Sequence, residues 1–164
     1  MEKNINLIID YAISSLTKVN ENLARTDKNI PKLEKIRLKA VHIDIAKKVT
    51  RDFSNLSINE MKAIVEYIEN SLYSSQNNYE KRACYQLLDI SADRIIEIFM
   101  HNIDAHKDVL DKFSITILRR IERWLDYKIL EAQTLRCYEA VDSFAYLRKI
   151  VDNTLSSKNT QIEQ

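Results

Sequence analysis

Glycine is absent from the 164 residues, and proline occurs once, at Pro31. Glycine is the residue that reaches positive φ without steric cost, so hairpin turns and phosphate-cradling loops are usually built on it. A P-loop, a Rossmann fingerprint, a nucleophile elbow and an EF-hand loop all lose their usual construction here. Helices need only caps and short links, so the chain is expected to be all-α. Charge of one sign is missing too: 25 basic and 24 acidic residues leave a net charge of +1. No global pull toward nucleic acid or anionic membrane follows, and any charged surface must come from local distribution. No stretch approaches 18 consecutive apolar residues, so no membrane span is expected. The opening "MEKNINLIIDYAISSL" carries Glu2 and Asp10 and reads as a helix start, not a signal peptide. A cytoplasmic location is the expectation.

Cysteine is scarce. Cys84 and Cys137 each fall inside an apolar helical pattern, and both read as small buried thiols of a reducing compartment. Two lone cysteines without clustered histidines do not make a zinc site. No cofactor and no metal is expected.

What is present is helical periodicity. Hydrophobic residues make up 45 % of the chain and charged residues 30 %, values of a globular domain. Residues 3–24 place Ile5, Ile8, Ile9, Ala12, Ile13, Leu16, Val19 and Leu23 on one wide stripe. The polar link "RTDKNIPK" follows, with Pro31 at the first helical position. The helix over 31–53 is apolar on two sides. Leu38, Val41, Ile45, Val49 and Phe53 form one sector, and Leu33, Ile36, Ala40 and Ile43 form another, nearly opposite. That pattern predicts a helix in the middle of a bundle.

Ser57 and Glu60 form a capping box that opens a third helix. "SSQNN" is the most loop-like run. A fourth helix starts near Asn78, and "DISAD" offers Ser91 as the cap of a fresh one. Ser114 caps a last pattern of some forty residues, whose apolar line shifts by half a revolution near Gln133–Thr134. Either the helix breaks there, with Thr134 able to cap a new one, or one long C-terminal helix packs its halves against different partners; no Gly or Pro marks a stop, which favours the long helix. The expected architecture is one bundle of five to six helices over residues 1–157, with a disordered tail over 158–164.

Four groups of residues are candidates for function. In "RIIEIFMHNIDAHKD", Glu97, His101, Asp104 and Asp108 recur at helical spacing. Such a row can hold a metal or serve as an acid–base pair. Ile95, Ile96, Phe99 and Ile103 take the apolar side, however, so the acidic row is expected to face water. His42 falls in the core sector of the second helix and is expected to be a partly buried histidine held by one hydrogen bond. "ILRRIERWLDYK" sets Arg119, Arg120 and Arg123 beside Trp124 and Tyr127, a combination able to hold phosphates and stack on bases. Glu122 and Asp126 interrupt it, which predicts a salt-bridged helix face.

The chain also carries eight Tyr against four Phe. Tyrosine joins an apolar ring to a wet hydroxyl and is enriched at interfaces. The expected protein-interface residues are Tyr127, Tyr138, Val141, Phe144, Tyr146, Val151 and Leu155.

Arg37-x4-His42 ("RLKAVH") and Arg94-x6-His101 ("RIIEIFMH") have the bare spacing of HEPN ribonucleases, and these short segments resemble that family. The family usually has a polar residue directly after the arginine, where this chain has Leu38 and Ile95. The resemblance implies, as an alternative, a ribonuclease or nucleic-acid-binding helical protein with Arg94 and His101 as its pair. The leading expectation is a non-enzymatic interaction module (an adaptor, inhibitor, immunity factor or chaperone-like regulator) that meets a protein partner or a second copy of itself.

Overall fold

The computed structural model describes residues 2–26 and 31–163. Among them the secondary structure is helical throughout. The α-helices are α1 (Glu2–Thr26), α2 (Lys32–Phe53), α3 (Ile58–Ser74), α4 (Asn78–His101), α5 (Lys107–Leu110), α6 (Ile115–Thr134) and α7 (Tyr138–Glu163), with a 3-10 turn at Asp104–His106. That is seven where five to six were expected. No described helix is long and apolar enough to cross a membrane.

The helix starts follow their local chemistry. The Ser57 hydroxyl accepts from Glu60 N at 3.2 Å while the Glu60 carboxylate accepts from Ser57 N at 3.1 Å, the reciprocal capping box the sequence predicts. Asn77 accepts from Tyr79 N at 2.8 Å and opens α4; Ser114 accepts from Ile117 N at 3.3 Å and opens α6. Pro31 sits at the N-cap of α2, one position earlier than expected, and its carbonyl accepts from Glu34 N at 2.9 Å. Residues 27–30 of the preceding link lie outside the described residues.

The chain divides into two compact units, residues 1–90 and 91–164, where one bundle over 1–157 was expected. In the first, α1 is the central helix. Its Tyr11 ring lies 5.4 Å from Lys48 Nζ of α2, its Asp10 accepts from the Tyr67 hydroxyl of α3 at 2.6 Å, and its Asn20 reaches Gln86 of α4. Ile9, Ala12, Ile13 and Leu16 of α1 are buried together with Val49 and Phe53 of α2, Met61 and Ile68 of α3, and Leu87 and Leu88 of α4. The expectation that α2 occupies the middle is therefore corrected. Only its Leu38–Val49–Phe53 side is buried, and Leu33, Ile36, Ala40 and Ile43 face solvent.

In the second unit, the 91–101 part of α4, α5, α6 and α7 enclose Ile95, Ile96, Phe99, Leu110, Phe113, Ile117, Leu118, Ile121, Leu125, Leu147 and Val151. The expected break at "DISAD" does not occur: α4 is continuous, and Ser91 is a fully buried position within it. The single long C-terminal helix is also corrected. α6 and α7 form an antiparallel hairpin, with Asp126 level with Arg148 and Glu122 level with Asp152.

The turn between them is a Schellman motif made without glycine. Cys137 N donates to Ala132 O at 2.9 Å, Arg136 N donates to Gln133 O at 3.1 Å, and Arg136 holds φ at 58°. A side chain with a Cβ is disfavoured in that region by roughly 1–2 kcal/mol. Arg136→Gly is therefore expected to raise stability by about 0.5–1 kcal/mol in urea denaturation, although glycine normally destabilises. α7 extends through Glu163, so residues 158–163, expected as a tail, are helical; residue 164 lies outside the described residues.

Candidate functional site

The row that begins with Glu97 and His101 is not a row. α4 ends at His101, and the backbone passes into the 3-10 turn, so Asp104 and Asp108 sit on other elements. All four residues are exposed. Glu97 pairs with Arg94 at 3.0 Å, and Asp104 pairs with Lys107 at 2.8 Å while accepting from the Tyr146 hydroxyl at 2.9 Å. Those two donors hold the Asp104 carboxyl below the ordinary carboxylate range. The arrangement is a wet helix end tied to α7. Among the described residues, no cluster of His, Cys, Asp and Glu is suited to hold a metal.

His42 lies half-buried in the first unit. Its neighbourhood is polar: the buried Asn20 side chain donates to Gln86 Oε1 at 3.2 Å and to Tyr79 O at 3.3 Å. The imidazole Nε2 is buried without a hydrogen-bond partner, and a proton there would face the charge of Arg82. Burial, then that charge, lower the His42 pKa from 6.5, against an opposing side-chain hydrogen bond with Gln86. The folded chain thus binds this proton less readily than the unfolded chain. The stability that follows is fully present above about pH 6.5 and is lost as pH falls through the folded value. His42→Gln is expected to flatten the pH dependence of the urea midpoint on the acid side of neutrality. Of the HEPN-like spacings, Arg37 is exposed and bonded to Glu34 while His42 turns inward, so that pair does not converge.

The two acids that interrupt the basic run of α6, Glu122 and Asp126, meet a cation of α7. Arg148 donates from Nε to Asp126 Oδ1 at 2.6 Å and from Nη2 to Asp126 Oδ2 at 3.3 Å, ion-pairs with Glu122 at 3.6 Å, and also bonds Asp152. Arg119 and Arg123 stand at the rim of the same open groove. The buried Asp152 Oδ1 has no hydrogen-bond partner. The hydrogen bond with Asp152, then burial, push the Glu122 carboxyl above its ordinary value against the pull of Arg148. The expected salt-bridged face is present, but its hub is Arg148, a residue the sequence reading did not single out.

The expected interface residues separate. Tyr127 and Tyr138 are exposed, Val141 and Phe144 half-buried, and Tyr146 exposed with its hydroxyl on Asp104 and its ring 5.3 Å from Lys107 Nζ. Val151 and Leu155 are 0 and 7 % exposed: they line the core of the second unit and are corrected as surface residues. Two residues not anticipated take their place. Leu130 lies one turn beyond Tyr127 on the face of α6 opposite the buried Leu125, and Leu135 caps that helix. Tyr127, Leu130, Leu135 and Tyr138 are 57 to 66 % exposed, along the last turns of α6 and at the start of α7. Cys137, expected to be buried, is exposed in the same turn, whereas Cys84 is fully buried and its thiol is pushed up to about 11 by burial and by Glu80. Searches of protein-family models, of curated proteins and of solved structures found no match to this chain.

Proposed function

We propose that the chain is a non-enzymatic helical interaction module, with the closed end of the α6–α7 hairpin as its contact surface and a second copy of the chain as the partner. The observation that carries this reading is the run of large, exposed apolar side chains from the last turns of α6 to the start of α7: Tyr127, Leu130, Leu135 and Tyr138. Single exposed apolar residues are ordinary, whereas a local group of them marks a contact site. Tyrosine in particular is enriched at such sites. Exposed Glu131, Arg136 and Glu139 surround the group with both signs of charge. Mixed signs suit a two-fold pairing in which Arg136 of each copy meets a glutamate of the other.

Cys137 is a built-in reporter. Under mild oxidation the wild type is expected to form a Cys137-linked dimer, while Leu130→Glu and Leu135→Glu suppress it and the buried Cys84 stays unreacted. A wild type that forms no such dimer speaks against this surface.

The ribonuclease alternative rests on Arg94 and His101, two turns apart on α4. RNA incubated with wild type and with His101→Ala separates the two readings. Equal inactivity supports the interaction module; cleavage lost only in the variant supports the enzyme.

A further inference from the structure

α2 carries a second apolar line that the core of its own unit does not use. Leu33, Ile36, Ala40 and Ile43 follow one another at steps of three, four and three, and Leu33, Ile36 and Ile43 are 51 to 79 % exposed. Leu38, Val49 and Phe53 are buried on the other side of the helix. Two apolar residues per heptad make the narrow seam that one helix offers to another. From Leu33 to Ile43 the seam runs about 15 Å. The small Ala40 at its centre lets a second helix axis come close, since the separation is set by the side chains at the crossing.

The flanks decide what kind of helix fits. α2 holds seven basic and three acidic residues, +4 on a chain whose net charge is +1. Lys32 and Lys39 run along one edge of the seam, and Lys47 takes the next seam position after Ile43; all three are exposed. Of the three acids, Glu34 is engaged by Arg37 of the same helix at 2.5 Å. A second copy of α2 would set lysine edge against lysine edge. An anionic membrane would need a broader apolar face, with more bulk than this one line supplies.

We propose that this seam binds an acidic amphipathic helix of a partner protein. Its apolar residues lie along Leu33, Ile36, Ala40 and Ile43, and its carboxylates meet Lys32, Lys39 and Lys47. The seam belongs to the first unit and the hairpin end to the second, and the proposal stands whether or not that end dimerises.

The test uses the full chain and a labelled three-heptad peptide with Leu at its seam positions and Glu on both flanks, followed by fluorescence anisotropy. The peptide is expected to bind at least about tenfold more tightly than its Lys-flanked counterpart, and to weaken as salt is raised. Ile36→Glu and Ile43→Glu are expected to weaken binding by about tenfold or more with unchanged thermal melts, because both side chains are exposed. Lys39→Glu weakens the Glu peptide and strengthens the Lys peptide, while Leu130→Glu changes neither. The proposal is overturned by equal affinity for the two peptides, by no binding of the Glu peptide, or by Ile36→Glu binding as wild type does. It is equally overturned by attachment to phosphatidylserine vesicles in place of the peptide, or by wild-type self-association that Ile36→Glu abolishes.

Discussion

Replacing Arg148 by methionine is expected to destabilise the protein by about 2–3 kcal/mol, between the values for exposed and for buried ion pairs. Methionine keeps most of the aliphatic stem, so the change isolates the guanidinium. Without it, Glu122, Asp126 and Asp152 face one another across the α6–α7 groove with no shared cation. Lysine is expected to recover little, because a single ammonium cannot reproduce the two-point contact with Asp126. Glu122→Gln supplies a check. The Glu122 carboxyl is pushed above its ordinary value, and a carboxyl with a raised pKa stabilises the fold at low pH and loses that contribution as pH rises. The amide imitates the protonated state at every pH. In the Arg148→Met background it is expected to restore part of the loss, so the two substitutions are not additive. Urea denaturation of the four proteins measures this. An Arg148→Met loss below about 0.5 kcal/mol would mean that solvent screens the cluster as it does ordinary surface pairs.

Phe99→Ala is expected to cost about 3–5 kcal/mol, whereas His101→Ala two residues away is expected to stay within about 0.5 kcal/mol. The Phe99 ring is 1 % exposed and meets the His106 ring edge-on at 5.6 Å, at the point where α4 gives way to the 3-10 turn. Phe99→Leu retains most of the buried volume and should recover more than half of the loss. This contrast measures the division of α4 into a packed side and a wet one. A cost above about 1 kcal/mol for His101→Ala would give the exposed imidazole a structural role that its surroundings do not account for.

The parts of this fold that local chemistry dictates were readable in the chain. Ser57 with Glu60, and Ser114, cap helices where their spacing says they should. Ile95, Ile96 and Phe99 are buried, as the helical period predicts. The hairpin was not readable, because its turn uses Arg136 at positive φ in place of the glycine that usually announces such a stop. The half-revolution in the apolar line near Thr134 was the signal. It fits a reversal of direction as well as it fits a change of partner, and sequence alone does not separate the two. The same ambiguity misplaced α2: two apolar sides describe a helix between neighbours, and equally a helix with one side in the core and one left bare. Val151 and Leu155 fall on a face that would meet a partner only when α6 and α7 are taken as one helix. Folding α7 back on α6 turns them inward.

Sedimentation velocity over a concentration series reaching the high micromolar range tests most directly whether the hairpin end pairs with itself. The wild type is expected to sediment faster as concentration rises, approaching a dimer, while Leu130→Glu remains monomeric throughout. A wild-type boundary that stays monomeric at every concentration, indistinguishable from the variant, would contradict the account.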